Sequence, residues 1–211
     1  MYFQYGTKEI EYLKSKDKRF AEVIDKIGHP NRPVNHNLFS SIVNSIIGQQ
    51  ISTKAHQTIW ERIVNDLGVI NSNTLISVGR DKLQSYGLTY KKVDYILEFA
   101  EKVKKNEIDL SDYPNKTDEE IIKELSSLNG IGVWTAEMML LHCLERPNIF
   151  SYGDLAILRG IRMVYHHRKV DKKLFEKYRK RFSPYCSVAS IYFWAVSAGA
   201  IPELKDLGSK K

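Results

Sequence analysis

The stretch Leu128-Asn129-Gly130-Ile131-Gly132-Val133-Trp134-Thr135-Ala136 decides how this chain is read. Two glycines flank one aliphatic residue, an amphipathic helical pattern precedes them, and another follows. Gly130 and Gly132 carry no Cβ, so the backbone can take a positive φ and approach a neighbour closely. A Gly-Ile-Gly turn that opens a helix presents unpaired N–H groups at the positive end of the helix dipole, a ready site for an anion. The chain carries a net charge of +7, and the anion that suits it best is a nucleic-acid phosphate. Taken alone, Gly-x-Gly also describes a tight turn between helices that binds nothing. The residues downstream separate the two.

Working outward, helical periodicity dominates. Ile10 to Leu13 and Phe20 to Ile27 read as two short helices, the second stopped by Gly28 and the Pro30–Pro33 segment. Leu38 to Leu67 reads as two helices broken at Gly48-Gln49-Gln50-Ile51-Ser52. Asn73 to Val78, Arg80 to Gly87 and Tyr90 to Lys105 give three more. Thr117-Asp118-Glu119-Glu120 is a capping box for a helix to Leu125. After the glycine turn come Val133 to Leu144, Leu155 to His166, Lys172 to Arg181 and Ser187 to Ala198. Alternating strand patterns are essentially absent, so the pattern predicts an all-α protein with short connections and no repeats.

The 211 residues suffice for one large domain or two small lobes with a real core. No apolar run approaches the roughly 20 residues of a membrane span, and Met1-Tyr2-Phe3-Gln4-Tyr5 does not open like a signal peptide. Two cysteines, Cys143 and Cys186, suggest neither a metal knuckle nor a disulfide framework. The expectation is a cytoplasmic protein with reduced thiols. Basic residues bunch late, from Arg159, Arg162, His166, His167, Arg168 and Lys169 on to Arg181.

The second key residue is Asp154, in Ser151-Tyr152-Gly153-Asp154-Leu155. Asp is a favoured N-cap, and a lone Asp before a helix is explained by that role. A cap and a catalytic carboxylate are compatible, because a helix N-terminus attracts negative charge. Asp154 stands 20 residues after Trp134. A glycine hairpin followed at this distance by an aspartate resembles the helix-hairpin-helix DNA glycosylases. Ser45-Ile46-Ile47-Gly48-Gln49-Gln50-Ile51-Ser52 resembles that family's Gln-rich interhelical turn. Gly87-Leu88-Thr89-Tyr90-Lys91-Lys92 resembles its Gly-x-x-x-x-Lys segment, and Phe182-Ser183-Pro184-Tyr185 with Trp194 resembles the C-terminal helix of its alkylpurine branch. The resemblance runs from about Phe20 to Gly199.

Within the family, position 134 separates chemistries. Strand-cutting members carry a lysine whose amine forms a Schiff base; Trp134 has no such amine. The iron–sulfur branch needs four cysteines near the C-terminus, and only Cys186 lies there. Both differences point to the monofunctional, AlkA-type 3-methyladenine glycosylases. That resemblance implies two helical lobes, roughly 38–144 and 1–37 with 145–211, and an active-site cleft between them. It implies no N-terminal β-domain. The partner would be double-stranded DNA containing alkylated bases, met by a monomer.

The resemblance also assigns roles. Asp154 would be the catalytic carboxylate. Trp134, Trp194, Tyr152 and Met138 would line the base pocket, and Gln50 would fill the gap left in the duplex. Gly130, Gly132, Trp134 and Thr135 would hold a phosphate, with Lys91 and Lys92 adding contacts. The carbonyls of Ser126, Leu128 and Ile131 would hold a structural Na⁺ or K⁺, and catalysis would require no cofactor. Ser151, Met138 and Cys186 depart from the family's usual proline, aromatic residue and arginine, which bears on pocket shape. Three alternatives remain: a glycosylase for hypoxanthine or an oxidised base, a strand-cleaving lyase, and a hairpin module that binds DNA without catalysis. Trp134 argues against the lyase.

Overall fold

The computed structural model describes residues 1–208. In chain order the α-helices are α1 (Thr7–Lys16), α2 (Lys18–Ile27), α3 (Leu38–Gly48), α4 (Thr53–Leu67), α5 (Ser72–Val78), α6 (Arg80–Ser85), α7 (Tyr90–Lys104), α8 (Asp118–Ser126), α9 (Val133–His142), α10 (Leu155–Tyr165), α11 (Lys172–Phe182) and α12 (Cys186–Ser197). A 3-10 segment, Leu110–Asn115, precedes α8. It was not anticipated, because Pro114 in its last turn hides the pattern. Among the described residues the only extended pairing is an isolated bridge between Tyr2 and Pro33. No described helix is long and apolar enough to cross a membrane.

Side-chain caps explain the short connections. Asp17, Asn37, Ser52, Asn71, Thr89, Thr117, Asp154 and Asp171 each accept an amide of the turn they open, which satisfies a donor the helix itself leaves unpaired. Thr117 and Glu120 form the capping box read from the sequence. Helix α9 ends at His142, two residues before the expected Leu144. Glu145 takes φ +49°, and the Arg146 amide closes back on the Leu140 carbonyl.

The chain divides into two compact units, residues 1–34 with 140–211, and residues 35–139. These limits differ from the 38 and 144 drawn from the sequence. The Phe3 amide binds the Arg32 carbonyl at 2.8 Å and the Val34 amide binds the Met1 carbonyl at 3.1 Å, which ties residues 32–34 to the N-terminus. The second division falls inside α9.

The core of the 35–139 unit is aliphatic. Ile42, Ile46 and Ile47 of α3 are fully buried, as are Ile63, Leu75, Val93, Ala100, Ile121 and Leu125, and the rings of Phe39 and Phe99 stack at 4.9 Å. The discontinuous unit has an aromatic core. Phe20, Phe182 and Phe193 lie within 5.8 Å of one another, and Phe150 stacks on Phe175 at 4.7 Å. There α10 approaches α12 closely at Gly160, where a Cβ would meet the Phe193 carbonyl at 2.5 Å.

Candidate active site

In the 35–139 unit the hairpin is built as its glycines suggested, with one difference. Gly130 has φ +83°, and a Cβ there would lie 2.6 Å from the Tyr95 ring. Gly132 has no left-handed φ and faces open space. Its carbonyl accepts the Ala136 amide at 3.0 Å, so it stands just before the first turn of α9. Val133, Trp134 and Thr135 therefore form the first turn of α9, whose amides point to the positive end of the helix dipole. Thr135 is buried, so only its backbone can serve a ligand. Leu128 accepts the Ile131 amide at 3.1 Å, and Ser126 ends α8.

Two tethers that the sequence did not announce hold this turn, and a third contact braces the α3 end from which one of them comes. Gln49 Nε2 donates to the Gly130 carbonyl at 2.5 Å. Asn129 Nδ2 donates to Glu98 at 2.8 Å. Lys92 Nζ donates to the carbonyls of Ile47 and Gln49 at 2.7 and 2.6 Å, so its ammonium caps the C-terminus of α3, where the dipole favours a cation. Lys92 thus braces the end of α3, and burial lowers its pKa. Lys91 is exposed, with its ammonium 5.8 Å from the Tyr95 ring. Gln50 is exposed and holds φ +55°, a strained conformation for a residue other than glycine. The C-cap of α3 is Gln49, so capping does not account for Gln50.

The pocket residues fall in different settings. Trp134, in the first turn of α9, is 47% exposed, which rules out a plain core role. Met138, one turn on, is buried. Tyr152 is exposed, with its ring 5.2 Å from that of Phe175.

In the discontinuous unit Asp154 is 6% exposed. Its Oδ1 accepts the amides of Ala156 and Ile157, both at 2.9 Å, which caps α10. The loop before it is pinned to α12. Ser187 Oγ donates to the Arg146 carbonyl at 2.5 Å and accepts the Ile149 amide at 2.9 Å, and Ser190 Oγ donates to the Ile149 carbonyl at 3.0 Å. Rigid support of this kind holds a reacting group in place.

Around Asp154 the fold gathers residues that sequence reasoning missed. The Arg32 guanidinium lies 4.5 Å from the Trp194 ring centroid, and its Nη2 is 3.5 Å from His142 Nε2. The His142 ring stacks on Trp194 at 5.6 Å with an interplanar angle of 16°. Burial, then the charge of Arg32, lowers the His142 pKa to about 4, against the opposing pull of a Pro33 backbone hydrogen bond and Asp154. His142 is therefore neutral at pH 7. Burial also lowers the Arg32 pKa, and the Asp154 carboxylate opposes that shift.

The late basic stretch is partly neutralised within the chain: Arg162 pairs with Asp206 at 2.7 Å, Arg159 lies 3.7 Å from the same carboxylate, and Arg181 pairs with Asp17. The thiols offer no nucleophile, for both are buried and burial pushes Cys186 up to about 12.

Comparison with known proteins gives a consistent picture. Residues 43–184 match the HhH-GPD superfamily of base excision DNA repair proteins. The crystal structure of a DNA-3-methyladenine glycosidase from Bacillus halodurans is 30% identical with a TM-score of 0.87, covering 98% of this chain and 97% of that one. The DNA-3-methyladenine glycosylase of Saccharomyces cerevisiae is 27% identical over 222 residues, covering 87% of this chain and 74% of its own. The 3-methyladenine DNA glycosylase of Schizosaccharomyces pombe, solved with abasic DNA, shares the fold at a TM-score of 0.77 and 23% identity, covering 91% of this chain and 97% of that one.

Proposed function

The chain belongs to the HhH-GPD superfamily of base excision DNA repair proteins, and from that premise we propose that it is a monofunctional DNA glycosylase for alkylated purines such as 3-methyladenine and 7-methylguanine. The observation that carries the reading is Asp154, a buried carboxylate that caps α10 and stands on a loop fastened to α12. A base must leave the stack to be reached, at a cost of a few kcal/mol that is smallest for damaged pairs. An N3- or N7-alkylated purine is cationic and already a good leaving group. The reaction then needs no acid, unlike ordinary glycoside hydrolysis with its two carboxylates. One carboxylate stabilises the oxocarbenium-like sugar and takes the proton of the attacking water. We assign this to Asp154. The products are the free base and an abasic site in an intact strand, because Trp134 offers no amine for a Schiff base.

The same reading gives the remaining residues their parts. Trp134 supplies a π face for the flipped base, Gln50 enters the duplex, and the amides after Gly132 hold a phosphate with Lys91 beside them. Carbonyl oxygens suit a hard monovalent cation, and Leu128 keeps a second lone pair beyond the one given to Ile131; Ser126, Leu128 and Ile131 would hold such an ion under the turn. The protein acts as a cytoplasmic monomer on duplex DNA.

The test is release of free base from methylated duplex DNA by the wild-type protein and by Asp154→Asn. Asn caps helices about as well as Asp, so folding survives the change. Wild type releases 3-methyladenine or 7-methylguanine, and the variant is slower by at least about 10²-fold. Equal release by both would remove Asp154 from the chemistry. No release by either, with DNA still bound, would favour a module that only binds. Weaker DNA binding when choline replaces potassium in the same assay supports the hairpin cation, and unchanged binding removes it.

A further inference from the structure

Arg32 has no part in the reaction as described, yet the fold fixes it with care. Its backbone carbonyl is held by the Phe3 amide at 2.8 Å. Its half-buried guanidinium lies over Trp194 at 4.5 Å, with His142 Nε2 3.5 Å away and Asp154 close enough to act on its charge. Each neighbour comes from a different element: Trp194 from α12, His142 from the end of α9 and Asp154 from the cap of α10. His142 is neutral, so the cluster carries one cation and one anion. An arginine stacked on an aromatic ring and already partly desolvated is preorganised for a planar partner.

The geometry points to Arg32 as the residue that sets charge selectivity at the leaving base, disfavouring a cationic purine on Trp194 and stabilising the departure of a neutral one. The inference rests on the glycosylase reading and on Trp194 as a wall of its pocket. The bookkeeping of the reaction shows why a fixed cation discriminates. The electron pair of the C1′–N bond leaves with the base. A purine that starts cationic ends neutral, so a nearby guanidinium opposes its binding, and bond breaking only relieves that repulsion without creating an attraction. A purine that starts neutral ends anionic, and the guanidinium meets charge that develops only in the transition state. The water oxygen bonds C1′, its proton passes to Asp154, and the base anion then takes that proton. No other reactant is needed. Arg32 thus supplies electrostatically what a general acid would supply by proton transfer.

The experiment compares single-turnover release of 7-methylguanine and of hypoxanthine from duplex DNA by wild type, Arg32→Gln and Arg32→Lys. The His142 titration is followed by NMR in the same three proteins. Removing the charge in Arg32→Gln should lower hypoxanthine release by about 10²-fold, the effect of losing one preorganised donor, and raise 7-methylguanine release measured with enzyme below saturation, where binding counts. Arg32→Lys, which keeps the charge, should hold the ratio of the two near that of wild type. The His142 pKa should rise in Arg32→Gln, because a cation beside it is gone, and stay low in Arg32→Lys. A fall by one common factor for both bases, in both variants, would make Arg32 structural and overturn the inference. Release of 7-methylguanine alone by wild type would overturn it too. If wild type releases neither base, the glycosylase reading falls and carries the selectivity with it. An unmoved His142 in Arg32→Gln refutes the placement of the charge without reference to activity.

Discussion

The hairpin of the 35–139 unit and the Asp154 cluster of the discontinuous unit are organised on opposite principles. The hairpin works through backbone. Its groups come from nine consecutive residues, Leu128 to Ala136, and its tethers from Gln49 and Glu98 end on a carbonyl and on a single side chain of the turn, with Lys92 bracing the α3 end beside Gln49. The cluster works through side chains brought from residues 32, 142, 154 and 194, held by ring stacking and burial. Gripping a phosphate needs only dipoles in a fixed turn, which a short segment can encode. Governing charge at a reacting bond needs a water-poor setting, which only tertiary structure provides.

That contrast is sharpest in its response to acid. The folded pKa of His142, about 4, lies below the ordinary value of 6.5. Between these two values the unfolded chain binds a proton that the folded protein does not. Stability contributed by His142 is therefore complete above pH 6.5 and lost as pH falls towards 4. The loss approaches about 3 kcal/mol, and chemical denaturation at pH 7, 5.5 and 4 should show it. His142→Gln should flatten that part of the profile. The hairpin's carboxylate tether, Glu98, is held below its ordinary value by Asn129 and Lys102 and loses its charge only at the acid end of this range, so a variant at Lys92 should leave the slope intact. An equal slope in wild type and His142→Gln would dissolve the distinction.

Glycines offer a second, smaller test, since each unit contains one that tolerates no Cβ. At Gly160 the obstacle is the backbone carbonyl of Phe193, 2.5 Å away, which cannot yield without separating α10 from α12. Gly160→Ala should cost about 1–3 kcal/mol and leave the affinity for undamaged DNA unchanged. At Gly130 the obstacle is the Tyr95 ring, which can turn aside, together with a φ of +83°. Gly130→Ala should cost about 1–2 kcal/mol and weaken DNA binding as well. Thermal denaturation and DNA titration on both variants would separate them. Loss of binding in Gly160→Ala alone would reverse the assignment of phosphate binding to the hairpin.

The same division governs what could be read from the chain. Helix positions, the Thr117–Glu120 capping box, the Gly130 turn and the Asp154 cap all depend on neighbours within a few residues, and all were legible. Arg32 and His142 meet across 110 positions, and no local pattern announces such a pair. In α9 the residues Met138, Met139, Leu140 and Leu141 are buried in succession. A helix apolar on every side gives periodicity nothing to work with, so the sequence could not say that Met138 is buried while Trp134 is half-exposed. Gln49 and Gln50 are chemically identical, and only the turn decides that one braces Gly130 while the other faces solvent.

Lys91 and Lys92 pose the finest version of that question, and there a signal did exist. Lys92 lies four residues before Ile96 and seven before Phe99, both buried, so it continues the inward stripe of α7. Lys91 shares the outer stripe with Tyr95 and Glu98. Side chains one residue apart on a helix point about 100° apart, enough to send one ammonium to the end of α3 and the other to solvent. Lys92→Met should therefore lower stability by about 1 kcal/mol, through loss of two bonds to carbonyls, and leave the salt dependence of DNA binding as it was. Lys91→Met should leave stability within about 0.5 kcal/mol and reduce the slope of log K against log salt by about 1. The opposite pairing of effects would mean that the Lys92 ammonium leaves its two carbonyls to meet phosphate. The hairpin would then change its own bracing when DNA arrives, and its likeness to a preformed backbone site would end there.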